Sequence, residues 1–112
     1  MRNVLSWRVA LERGFEPRNY PYSADQVPAG SIQARLDFKI WSKKAIGINC
    51  YFTAVVTGQK FQLTVFRYEP TKEYLIRGTP IDFSRCPTEK VYQIEVGVKG
   101  NGRVLFLAAS PL

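Results

Sequence analysis

The chain has 112 residues, with 16 Lys and Arg against 9 Asp and Glu, no His, and a net charge of +7. A hydrophobic share of 46% excludes a disordered chain, and the length suits a single domain spanning 1–112 with a real core. The missing histidine excludes a Ser-His-Asp triad, a Cys-His dyad, a His-ligated zinc and an imidazole pH switch.

Met1 to Arg8 lacks a sustained apolar run, and Arg8, Glu12 and Arg13 break it further, so no signal peptide is expected. No apolar stretch reaches the length of a membrane helix. Leu5, Trp7, Val9 and Leu11 alternate with Ser6, Arg8, Ala10 and Glu12, which predicts an N-terminal strand over 4–12. A long loop follows over 14–30, carrying Pro17, Pro21 and Pro28 together with Phe15, Arg18, Tyr20 and Tyr22. Loops of that length in small domains are commonly functional or mobile.

The segment 31–68 predicts a three-strand antiparallel meander. Ile32, Ala34, Leu36, Phe38 and Ile40 alternate with Gln33, Arg35, Asp37, Lys39 and Trp41, and Ile46, Ile48, Cys50, Phe52 and Ala54 continue the pattern after Ser42-Lys43-Lys44. Thr57-Gly58-Gln59 forms the next turn, and the returning strand sets Phe61, Leu63 and Val65 against Lys60, Gln62, Thr64, Phe66 and Tyr68. An irregular link over 69–90 holds Gly78, Pro80 and Pro87, with Tyr74-Leu75-Ile76 a candidate short strand. A C-terminal hairpin over 91–110 turns at Gly100-Asn101-Gly102. Its last strand is apolar on both faces and so is expected to be covered on both sides or paired in an interface.

This pattern predicts an all-β fold with little or no helix, a small antiparallel β-barrel. Three meander strands, a long link and a hairpin follow, by analogy, the strand order of a five-stranded OB-like barrel, with the last strand expected to close against the first. A meander barrel or sandwich of six to seven strands is the alternative. Cys50 lies on an apolar phase and reads as a buried free thiol, Cys86 precedes Pro87 in a loop, and the two suit a reduced, cytoplasmic protein.

No enzyme is expected, because the nine carboxylates are scattered singly and no phosphate-cradling Gly loop is present; Asp37 and Glu95 read as solvated charges. No cofactor, metal or membrane partner is expected either. With Ile32, Leu36, Phe38, Ile48, Phe52, Phe61 and Leu63 pointing inward, the opposite face carries Trp41, Tyr51, Phe66 and Tyr68 among Arg35, Lys39 and Lys60. Single-stranded DNA or RNA suits such a face: bases stack on the rings while Arg35, Lys39, Lys43, Lys44, Lys60, Lys99 and Arg103 neutralise phosphates. Two competing expectations use the same residues. In one, the aromatic face is the interface of a homo-oligomer; in the other, the 14–30 loop covers it.

Overall fold

The computed structural model describes residues 3–43, 46–76, 79 and 81–112. Its strands are β1 (Gly30–Trp41), β2 (Gly47–Ala54), β3 (Lys60–Phe66), β4 (Lys90–Val98) and β5 (Val104–Pro111). They form one antiparallel sheet in the order β3-β2-β1-β4-β5. The period-two alternation of branched and aromatic residues specifies β2, β3 and β4, since it lets each bury a row of side chains. In contrast β5, expected to be covered on both faces, buries only Ala109 and leaves Leu107 exposed. Gly58 and Gly102 adopt positive φ angles of 73° and 82° in the β2–β3 and β4–β5 turns, a conformation that costs glycine nothing. It is β4, not the last strand, that pairs with β1. β3 and β5 are left as the two edges; their Cα atoms come within 8 Å, but no ladder joins them and the sheet is not closed.

One irregularity organises the rest. Leu36 pairs with Phe52 and Phe38 pairs with Tyr51, so Asp37 is an extra residue bulged out of β1. A one-residue slip exchanges the faces of every residue beyond it. Before the bulge, Ala34 and Leu36 face the concave core with Ile48, Cys50, Phe52, Phe61, Leu63, Ile94 and Val96. After it, Phe38 and Ile40 lie on the convex face with Tyr51, while Lys39 and Trp41 stand opposite Cys50 and Ile48 on the concave side. The expected inward Phe38 and outward Lys39 and Trp41 are therefore reversed. β1 consequently buries both of its faces over its second half.

The convex layer comes from the N-terminal third. Residues 7–12 are an α-helix, α1 (Trp7–Glu12), where alternation predicts a strand; Ser6 caps it by accepting the Val9 N–H at 3.2 Å. Its one fully buried residue is Ala10, so the apolar residues at 7 and 11 are surface residues and their spacing carried no strand information. Leu5 alone is strand-like: its N–H donates to Lys39 O and its carbonyl accepts from Trp41 N–H, both at 2.9 Å. A 3-10 turn at Pro17–Asn19 then delivers Tyr20 between Phe38 and Tyr51, edge-on to both at 5.3 and 5.4 Å between ring centres. Phe15 stacks on Phe38 at 4.3 Å, and Phe38 stacks on Tyr51 at 4.5 Å.

The concave side is closed by the 69–90 link. Tyr74 to Ile76 form no strand; a single bridge joins Glu73 to Tyr68. Phe83 is fully buried, edge-on to Phe106 of β5 at 5.4 Å, and its N–H donates to Tyr74 O at 2.7 Å. Both cysteines are free and buried, as expected for Cys50. Among the described residues no helix is long and apolar enough to cross a membrane.

Candidate functional site

The face expected to bind is divided by the bulge and by the cover. Tyr51 is buried under Tyr20, and burial pushes its phenol up to about 12. Trp41 is half-buried against the concave core and edge-on to Tyr74 at 5.3 Å. Lys39 is 0% exposed: its Nζ donates to Phe83 O at 2.8 Å and Cys86 O at 2.7 Å, and burial lowers its pKa. It therefore holds the link against β1 and is withdrawn from any phosphate. Asp37 is buried too, contrary to a solvated charge. It accepts Tyr20 Oη at 2.8 Å, Thr53 Oγ1 at 2.5 Å and Arg35 Nε at 2.8 Å. Arg35 is exposed but committed to that carboxylate. Lys60 is exposed and lies 5.4 Å over the Tyr20 ring. Lys43 and Lys99 are exposed, and Lys44 lies outside the described residues.

Phe66, Tyr68 and Arg103 do come together. They line an open groove of about 720 Å³ between the β3 and β5 edges, with Arg67, Tyr22 and Thr64, over a floor that includes Val65, Ile76 and Phe106. β3 builds one wall because its even-numbered residues face the convex side, which brings Gln62, Thr64 and Phe66 into a row. Phe66 is 55% exposed. Thr64 Oγ1 donates to Asn49 Oδ1 at 2.8 Å across β2 and β3. Pro21 O accepts the Gln62 N–H at 2.9 Å, and this bond to the free edge of β3 presents the next residue, Tyr22, at 71% exposure.

Among the described residues no acidic side chain lines the groove. Arg67 pairs with Glu69 at 3.0 Å; Lys72 and Arg67 together hold the Glu69 carboxyl below the usual carboxylate range. Arg103 makes no ion pair among the described residues; its backbone N–H donates to Asn101 Oδ1 at 3.0 Å. A second cleft of about 700 Å³ continues from the first through Tyr22, Asn49 and Gln62 and reaches Trp7 and Arg18 beside α1. Three exposed aromatics, Trp7, Tyr22 and Phe66, thus follow one continuous depression flanked by Arg18, Arg67 and Arg103.

Tyr22, Trp7, Arg18 and Arg67 were missing from the expected site. The signal for Tyr22 and Arg18 was the aromatic and basic content of the 14–30 loop. Trp7 carried none while 4–12 read as a strand. The chain matches no family model, no curated protein and no solved structure. What stands is its class: an all-β antiparallel domain with little helix and an aromatic, basic surface groove.

Proposed function

We propose that this chain is a non-enzymatic binding module that takes single-stranded nucleic acid, DNA or RNA, along the depression from Trp7 to Arg103. The observation that carries the reading is the convergence of Tyr22, Phe66 and Tyr68 with Arg67 and Arg103 in one open groove with no acidic side chain among its described lining residues. Exposed rings stack on bases of any sequence at about 1–3 kcal/mol each, and flanking cations follow the phosphates. An OB-like barrel is the fold reading that goes with it. The order β3-β2-β1-β4-β5 with facing edges supports it, as does the Phe52–Phe106 contact at 5.8 Å from β2 to β5. In that architecture oligonucleotides lie over strands two and three near the β4–β5 loop, which is where Phe66 and Arg103 lie here. A binding role is also supported by the carboxylates: Glu12, Asp37, Glu69 and Asp82 are each engaged by a neighbouring Arg. Two free, buried thiols suit a reducing cytoplasm.

The test is tryptophan fluorescence during titration with a short oligothymidine at two salt concentrations, Trp7 being the reporter in the depression. Quenching at micromolar protein that weakens steeply with salt is expected, because neutralised phosphates release counterions. No quenching at low salt with excess oligonucleotide overturns the proposal. Light scattering on the same sample addresses the homo-oligomer reading, which a concentration-independent monomer eliminates.

A further inference from the structure

Lys39 and Cys86 meet in a geometry that the binding reading does not use. Lys39 Nζ lies 3.7 Å from Cys86 Sγ, with Phe83 O at 2.8 Å and Cys86 O at 2.7 Å taking its other two donor directions. A lysine nitrogen has three such directions. When the two carbonyls keep their N–H donors, the third direction, aimed at the sulfur, holds either a proton or the lone pair. Cys86 O is further held by Asn3 Nδ2 at 3.1 Å, so the link cannot easily drift from this arrangement. Burial disfavours the ammonium form of Lys39 and likewise raises the Cys86 thiol, so a neutral amine and a neutral thiol face each other, with the lone pair placed to take the thiol proton. Cys86 itself is 8% exposed and lines a separate cleft of about 450 Å³, between the link, β4 and the C-terminal Pro111 and Leu112. The lining is mostly apolar, with Ile81, Pro87 and Val91 beside Cys86.

We infer that Lys39 and Cys86 form a reversible sulfur–nitrogen cross-link when a hydroperoxide enters this cleft. Lys39 takes the Cys86 thiol proton, the sulfur attacks the distal peroxide oxygen, and the O–O bond breaks. The departing oxygen takes that proton from Lys39 to leave as water or an alcohol, with Cys86 now a sulfenic acid. The Lys39 lone pair then attacks the oxidised sulfur and the S–O bond breaks. Hydroxide departs with one of the two nitrogen protons as water, which leaves a neutral S–N bond with a single N–H. Sulfur is oxidised by two electrons and the peroxide is reduced by two. Two equivalents of an added thiol reverse the bond, forming a disulfide of that thiol. The cross-link fastens the 69–90 link covalently to β1, where hydrogen bonds and the Trp41–Tyr74 contact hold it otherwise.

The experiment is intact-mass and peptide mapping of the reduced full chain after brief treatment with hydrogen peroxide, on wild type and Cys50→Ala. Both proteins are expected to lose two hydrogens, to resist trypsin after Lys39, and to yield a linked peptide pair containing Lys39 and Cys86. Dithiothreitol should restore the starting mass. Loss of the effect in Cys50→Ala would identify a Cys50–Cys86 disulfide instead and overturn the inference. Products that only gain oxygen, with Cys86 captured by dimedone, or an unchanged mass, overturn it equally.

Discussion

Tyr20 is the residue on which the convex layer depends, and its removal has a calculable cost. The side chain is buried, edge-on to Phe38 and Tyr51, and its hydroxyl donates to Asp37 at 2.8 Å. Tyr20→Phe deletes only that bond to a carboxylate, which still keeps Thr53 and Arg35, so the loss should be about 1–2 kcal/mol. At roughly 4–8 °C per kcal/mol for a domain near this size, Tm falls by about 5–15 °C. Tyr20→Ala adds a ring-sized cavity and exposes two stacked aromatics, for about 3–5 kcal/mol in total. The assay is urea denaturation followed by far-ultraviolet circular dichroism, with both variants at pH 7. If Tyr20→Ala unfolds within about 0.5 kcal/mol of wild type, in the range of ordinary surface changes, the 14–30 segment is not a structural cover. The assignment of Tyr51 to the interior would fail with it.

Four further outcomes follow from the same structure. Stability should be lost as pH rises above about 9–10: burial raises the thiols of Cys50 and Cys86 and the phenols of Tyr20, Tyr51 and Tyr92, so the native state retains protons that the unfolded chain releases. Lys39, lowered by burial, acts in the opposite sense as one group against five; urea midpoints that increase from pH 9 to 11 would contradict this. Phe66→Ala should weaken oligothymidine binding by about 1–3 kcal/mol, roughly 5- to 150-fold, with a nearly unchanged Tm, as read by fluorescence titration and thermal melting. Arg103→Ala should reduce the slope of log affinity against log salt by about one phosphate's worth, and an unchanged slope would remove Arg103 from the interface. Gly47→Ala places a Cβ 2.9 Å from Val65 O, a backbone atom that cannot swing away, and should cost about 1–3 kcal/mol. Gly97→Ala meets only the flexible end of Leu107 at 2.9 Å and should cost less; equal urea midpoints would show the distinction to be false.

Strand positions were legible because alternation and turn residues agree: the β2 and β3 bounds and the glycine turns lie within a residue or two of where Ile46–Val55, Lys60 and Gly100-Asn101-Gly102 set them. The Asp37 bulge was not legible. On either side of it the alternation of Leu36, Phe38 and Ile40 with Lys39 and Trp41 continues unbroken, since β1 buries both faces and needs apolar residues on each. Only the partner strand's pairing exposes the slip. That single residue determined which site residues survived: Phe66 and Tyr68 on or just beyond β3 were unaffected, whereas Lys39 and Trp41 changed sides. Tyr51 kept its face but was covered, and the clue was in view, since a proline-containing loop with Phe15 and Tyr20 requires an apolar surface to rest on. The α1 helix escaped notice because its inward face is so narrow that Ala10 alone is fully buried.

The double burial of β1 also sets an order of assembly. The convex layer is tied by a bond between Tyr20 and Asp37, 17 residues apart, whereas the concave layer is tied by Lys39 to carbonyls 44 and 47 residues further on. The entropy of closing a loop grows with its length, and during synthesis the later segment does not yet exist. The outer cover is therefore expected to dock on the β1–β2 hairpin while its inner side is still open, before Phe83 and Cys86 reach Lys39. Pulse-labelled hydrogen exchange should find the Trp41 amide protected by Leu5 before the Phe83 amide is protected by Tyr74.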